Sequence, residues 1–203
     1  MKSDARWLGS EPGDRRARIL TAAQEVFAEK GFRLAEVQDI AAVAGVSKAT
    51  IYKEFRSKDE ILTTIVEENF RQLQRICVAN LVGPEPPLLR LRKVLHDAAI
   101  YLEDNKAFCR VLVREAGEFM DVIRARYSDL VRENTPMAEA FFAHLRARGE
   151  IPDIPTHDLM KVLTNTGIGV LYAWVLTDSG RLVDEVDYYF AMVERLRVER
   201  RSA

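Results

Sequence analysis

Residues 40–60 read IAAVAGVSKATIYKEFRSKDE. Their spacing predicts a short helix, a tight turn at Gly45, and a second short helix opened by Ser47. Glycine adopts the left-handed backbone of such a turn at no steric cost. Serine at a helix start accepts from the backbone N–H groups two or three residues on. A third, longer helix is predicted behind Ser57, which with Glu60 has the S-x-x-E form of a capping box. Two helices joined in this way make a helix-turn-helix, whose second helix can enter the major groove of DNA. In that second helix Ile51 and Phe55 are set to turn inward, leaving Lys48, Thr50, Tyr52 and Lys53 mostly outward.

Upstream, Ile19, Leu20, Ala23, Val26 and Phe27 recur at three- and four-residue spacing, which predicts a helix from Asp14 that Gly31 ends. Val37, Ile40, Ala41 and Ala44 form the apolar stripe of the next helix. Residues 1–13 are polar, with Pro12 and Gly13, and are expected to be a flexible arm. After Ser57 a long linking helix, about 58–82, ends at Gly83, Pro84, Pro86 and Pro87, the clearest internal boundary. Beyond it no period-two alternation occurs, and helices are predicted over 88–103, 106–117, 119–147, 157–178 and 183–199. Pro136 should break or kink the third of these, and Gly149 should close it. The expected architecture is all-α with about nine helices: a DNA-binding module over 14–60 and a larger ligand-binding and dimerisation bundle over 61–203.

Composition excludes several classes. With 203 residues, 48% hydrophobic and 30% charged, the chain is of ordinary globular type. The apolar runs look short and broken by charge, so no membrane span is expected, and the charged N-terminus does not suit a signal peptide; the cytoplasm is the expected location. Cys77 and Cys109 sit in apolar helical patterns and are read as reduced core thiols. His96, His144 and His157 lie far apart, so no metal site is expected, and no cofactor either. Net charge is −1, so any phosphate-binding charge must be local. Residues 1–60 hold eleven lysines and arginines against ten acids, a net of +1. Residues 47–58, however, carry Lys48, Lys53, Arg56 and Lys58 against Glu54 alone. Where the cations point, rather than the chain total, decides phosphate binding.

Residues 14–62 resemble the DNA-binding domain of the TetR family of bacterial transcriptional regulators. The stretches that carry the resemblance are RARILTAAQEVFAEKGF, DIAAVAGVSKATIYKEF and SKDEIL, in the family's order and spacing. The resemblance implies a homodimer on a palindromic operator, most simply a repressor released by a small molecule held in the central helices. It also implies contacts from Ser47, Lys48, Ala49, Thr50, Tyr52, Lys53 and Lys58. Lys48 sits where helix N-terminal amides also face a phosphate. Thr50 can meet a base edge. Ala49 matters by being small. Tyr52 either reaches a phosphate or simply packs, and Arg15 and Arg16 either clamp the flanking backbone or only solubilise the helix start. Two positions depart from the pattern. Ala35 and Glu36 stand where a Thr or Ser usually caps the second helix, and Glu54 stands where a His is common; Glu54 is expected to face away, paired with Lys53 or Lys58.

For the effector, Tyr101, Phe108, Cys109, Phe119, Met120, Asn165, Tyr172 and Trp174 are candidate cavity residues, each with a plain core reading beside it. The absence of clustered charge among them favours a mostly apolar ligand; Arg114 and Glu115 are candidates to discriminate polar groups on it. For the dimer seam the candidates are Gly167, Val170, Leu171, Trp174, Val186, Tyr189, Phe190 and Val193. Catalysis is not expected, since no nucleophile–base pair or phosphate loop is evident. The remaining alternatives are an activator or nucleoid-associated protein without a small-molecule effector, and a helical dimer acting through a protein partner.

Overall fold

The computed structural model describes residues 14–115, 120–178 and 180–202; within its helices, side chains are described for all but residues 120–124, 126, 127, 130, 193, 194 and 196–202. Among the described residues there are nine helices and no strand: α1 (Arg15–Lys30), α2 (Val37–Ala44), α3 (Lys48–Glu54), α4 (Lys58–Leu81), α5 (Pro87–Asp104), α6 (Lys106–Glu115), α7 (Met120–Ala147), α8 (Thr156–Thr177) and α9 (Leu182–Ser202). The all-α expectation holds.

Local chemistry accounts for the boundaries. Asp14 caps α1 by accepting from the Arg16 N–H at 2.9 Å, and Gly31, at φ +80°, ends it. Gly45 turns α2 into α3 in the left-handed conformation, φ 65° and ψ 39°. The Ser47 hydroxyl accepts from the Thr50 N–H at 3.1 Å. Ser57 accepts from the Glu60 N–H at 3.1 Å, and the Glu60 carboxylate in return takes the Arg56 N–H at 2.6 Å. At Pro136, where a break or a kink is expected, the helix does not break: α7 runs through it. Pro136 and the residues flanking it lie on a largely exposed stretch of the helix. The carbonyl that proline cannot serve can therefore be satisfied by water.

Contacts divide the chain into two units, with boundaries after Gln72, Glu103 and Leu130. In the first, Ile19, Leu20, Ala23 and Phe27 of α1 are buried with Ile40, Ile51, Phe55, Ile61, Leu62 and Ile65. The helix α6 belongs to this unit, burying Phe108, Cys109 and Val111. The Phe108 ring meets Phe70 edge-on, with centroids 6.4 Å apart. In the second unit Ala138, Phe141, Phe142 and Leu145 form a cluster packed by Leu81, Leu91, Ile151, Leu159, Met160 and Leu163. Arg146 ties the loop before α8 to this cluster, donating to the Ile154 carbonyl and the Thr156 hydroxyl, each at 3.0 Å.

The helix α8 corrects one expectation. Its stretch 162–177 carries no charged residue, and at 22 residues α8 is long and apolar enough, by length and composition, to cross a membrane. Threonine, asparagine and glycine dilute the run, which is why it does not stand out in the sequence. A single helix of this kind is weak evidence for a span, because a helix that is covered by other protein has the same composition.

Candidate nucleic-acid interface

The helix α3 is held from beneath by Ile51, 1% exposed, and by Phe55 at its C-terminal cap, 2% exposed. Its other side carries Lys48, Ala49, Tyr52 and Lys53, all exposed. Two cations, a phenol and a small residue that permits close approach therefore face outward from one rigid helix. Ser47 and Thr50 share a hydrogen bond between their hydroxyls at 2.8 Å. That bond uses one of their two hydroxyl protons and leaves the other for a phosphate oxygen or a base edge.

Several expected contacts have other partners. The Lys58 ammonium donates to the carbonyls of Phe32 (2.6 Å), Ala35 (2.8 Å) and Arg33 (3.4 Å), and lies 4.4 Å from the centre of the Phe32 ring. These bonds direct its protons to the α1–α2 loop, so Lys58 acts as a loop clamp. Arg16 turns inward: its guanidinium donates to the Glu54 carbonyl at 3.0 Å and stacks 4.2 Å from the centre of the Phe55 ring. It fastens the start of α1 to the end of α3. Arg15 stays largely exposed and makes a loose 3.8 Å ion pair with Glu54. The partner of Glu54 is thus Arg15 of another helix, not Lys53 or Lys58.

The missing cap at the start of α2 is replaced from within the helix. The Glu36 N–H donates to the Asp39 carboxylate at 3.0 Å, and Asp39 pairs with Lys30 of α1 at 2.7 Å. The Lys30 hydrogen bond is the larger cause that holds the Asp39 carboxyl below its ordinary range; the same bond raises Lys30.

The candidate effector residues are placed within each unit in turn. Phe108 and Cys109 are buried in the first unit, whereas Tyr101, Asn165, Tyr172 and Trp174 belong to the second. Burial pushes the Cys109 thiol up to about 12, which leaves it a core residue with no thiolate to offer. Asn165 and Tyr172 are exposed, and the Trp174 indole donates to the Gly180 carbonyl at 3.2 Å. Phe119 and the Met120 side chain lie outside the described residues. Arg114 and Glu115, the candidates to discriminate polar groups, have partners within the protein. They bond to the end of α1 and to the loop after it, 83 to 86 positions earlier in the chain. Nothing local in the sequence marks so distant a pairing.

Of the candidate dimer residues, Trp174 and Phe190 are buried within their own chain. Gly167 and Tyr189 are exposed, Val170, Leu171 and Val186 are half-buried, and the Val193 side chain lies outside the described residues. Val162, Ile168, Leu176, Tyr188 and Met192, which are not among the sequence candidates, are also exposed on α8 and α9.

Comparison with known proteins agrees with this geometry. Residues 19–65 match the bacterial regulatory proteins of the tetR family. The chain is 25% identical over 169 residues to the HTH-type transcriptional repressor KstR of Mycobacterium tuberculosis, an alignment covering 83% of this chain and 74% of that protein. The fatty acid degradation regulator FadR from Bacillus halodurans superposes with a TM-score of 0.78 at 19% identity, over 91% of this chain and 96% of that one. FadR from Bacillus subtilis in complex with stearoyl-CoA gives 0.74 at 20% identity, over 87% and 96%. At these identities the two structures speak for the fold.

Proposed function

We propose that the chain is a transcriptional regulator of the TetR family, whose model matches residues 19–65, and that it acts as a ligand-responsive repressor reading a palindromic operator as a homodimer. The observation that carries the reading is α3, whose buried side anchors it to the module while Lys48, Ala49, Tyr52 and Lys53 face out. Phosphate contacts from Lys48, Lys53 and Tyr52, with Arg15 at the flank, position the helix, and Thr50 with Ala49 meets base edges. Acting on the chromosome, the protein works in the cytoplasm.

A single seven-residue helix reads too few base pairs for a genomic address, and a two-fold pair doubles the footprint. The surface that supports dimerisation is α8 with α9. Val162, Ile168 and Leu176 are 63%, 52% and 67% exposed. A Cβ added at Gly167 or Gly169 would meet nothing within 4 Å in the single chain. A second copy laid against these helices buries that surface and uses the close approach that glycine permits. Glycine, threonine and asparagine on α8 suit such a protein seam better than lipid, which also accounts for its apolar composition.

The effector is proposed to be a mostly apolar molecule, and the stearoyl-CoA bound to the structurally similar FadR makes a long-chain acyl-CoA the first probe. The ligand and DNA then favour different states of the dimer, so each must weaken the other's binding equally.

The test is to capture genomic fragments on the purified protein and sequence them. A few strong sites that share a palindrome, lost in Lys48→Ala/Tyr52→Ala while the dimer stays folded, support the reading. Unchanged affinity in the double variant would remove α3 as the reading helix. Stearoyl-CoA that leaves a captured operator bound would remove acyl-CoA as the effector.

A further inference from the structure

The last carbonyls of α1 have no donor within their own helix, as at any helix end. Here they are satisfied by Arg114, whose Nη1 donates to the Glu29 carbonyl at 2.8 Å and the Ala28 carbonyl at 3.3 Å, while Nη2 donates to the Lys30 carbonyl at 3.1 Å. A cation placed there also meets the negative end of the helix dipole. The next residue of α6, Glu115, is 6% exposed, and its carboxylate accepts from the Phe32 N–H at 2.9 Å. Two adjacent side chains with opposite charge thus hold, respectively, the acceptors that end α1 and the first donor of the loop beyond. The approach is close. A Cβ on Gly31, between these two grips, would sit 2.9 Å from Arg114 Nε.

On its other side the same loop is gripped by Lys58, through the carbonyls of Phe32, Arg33 and Ala35. The Phe32 ring is fixed against Phe27, with centroids 5.3 Å apart. Residues 28–35 are therefore clamped from α4 and from α6. This loop sets where α2 starts, and α2 with Gly45 sets how α3 is presented. The Arg114 and Glu115 side chains are not part of the outward face of α3, and the apolar side of α6 is already anchored by Phe108, Cys109 and Val111.

We infer that Arg114 and Glu115 are positioning residues for DNA recognition: from the end of α6 they fix the α1–α2 loop and, through it, the placement of the reading helix. The inference rests on the DNA-binding function proposed above and adds two residues to it that touch no DNA. A pair that merely stabilised the unit would lower its melting temperature. A positioning pair alters affinity through loop geometry, without altering the charge that meets phosphate.

The test compares full-length wild type with Glu115→Ala, Glu115→Gln, Arg114→Ala and Arg114→Lys, on a duplex captured by the wild type. Amide exchange over residues 28–35 is followed in the same samples. Glu115→Ala and Arg114→Ala should speed exchange at Phe32 and at the end of α1. They should also weaken the captured duplex by about two- to thirty-fold, the range for residues that modulate coupling without touching a ligand. The slope of affinity against salt should stay at the wild-type value, because no phosphate contact is lost. Glu115→Gln keeps an acceptor oxygen and should restore most of the affinity, whereas Arg114→Lys, with no planar fork, should restore less. Should Arg114→Ala not fold, the two Glu115 variants carry the same comparison. Faster exchange with unchanged affinity would overturn the inference and leave a stabilising clamp. A reduced salt slope in the Arg114 variants would overturn it too, by making Arg114 a phosphate contact. Wild type that captures no DNA would overturn the functional reading and this inference together; variants that bind as wild type does would overturn this inference alone.

Discussion

In α1 seven of sixteen residues are buried, and in α8 only Thr156 and Trp174 of twenty-two, although α8 is the more apolar helix. The helices α1 to α4 close their own core: Ile19, Phe27, Ile40, Ile51, Phe55 and Ile65 are all at or below 2% exposure. On α8 and α9, Val162, Ile168, Leu176 and Tyr188 all exceed half exposure. Apolar area is favourable to bury and unfavourable to leave wet, by about 25 cal/mol per Å². The N-terminal helices have met that requirement within one chain, and the C-terminal pair has not. The difference teaches that the reading module closes its core within one copy of the sequence, while the final helices leave apolar surface that the dimer proposed above would bury.

The largest effect that would break this contrast is expected in the N-terminal core. Phe27→Ala removes a fully buried ring and should cost about 3–5 kcal/mol in chemical unfolding. A loss under about 1 kcal/mol would mean that the core is not closed by α1. Next comes the open side. Ile168→Glu places a charge on exposed α8 surface, so helical content should hold while the dimer weakens by about thirty-fold or more, the loss typical of a hot-spot residue. Sedimentation that still gives a dimer at low concentration would move the seam elsewhere.

A smaller effect separates the two lysines of the module. Lys58→Met leaves loop carbonyls without their donor and should lower stability by about 1–3 kcal/mol, with the salt dependence of DNA binding unchanged. Lys48→Ala should instead leave stability within about 0.5 kcal/mol and reduce the salt slope by about one. Exchanged outcomes would restore Lys58 to the phosphate contacts.

The smallest effect concerns acid. Asp39 titrates below its ordinary range in the folded protein, chiefly through its hydrogen bond to Lys30. Its contribution is therefore present above the unfolded carboxylate pKa and is lost as pH falls through the depressed folded value. Asp39→Asn should be slightly less stable than wild type at neutral pH, and the two unfolding curves should converge below about pH 4. Curves that stay parallel into acid would detach Asp39 from the Lys30 pair. Lys30, raised by the same bond, holds its share until pH climbs through its folded pKa.

Legibility followed distance along the chain. Asp14, Gly31, Gly45, Ser47 and Ser57 mark helix ends in the sequence, and each acts within a few residues of itself. The inward face of α1 and the outward face of α3 follow from the helical period alone. Errors entered where a charged side chain had a choice of partners. Proximity in sequence pairs Glu54 with Lys53 or Lys58, yet Arg15, nearly forty positions earlier, lies across from it. Lys58 looked like a phosphate contact because a basic side chain near a reading helix suits that role. Only the folded loop brings three carbonyls to it. The effector residues are hard to single out for a related reason: aromatic and sulfur-bearing side chains fill cores and cavities alike, and composition does not distinguish the two.

By itself, then, the sequence determined the helices, most of their caps, the helix-turn-helix and the outward placement of Lys48, Tyr52 and Lys53, because each depends on interactions spanning three or four residues; it did not determine the half-burial of Thr50. The tertiary structure alone decided that Lys58 and Arg16 serve the module, that Asp39 of α2 pairs with Lys30 of α1, and that Arg114 and Glu115 hold the end of α1 from more than eighty residues away. Hydrogen-bond partners at that separation are chosen by which carbonyls and amides the packed helices leave unsatisfied, and that is settled only when the chain has folded.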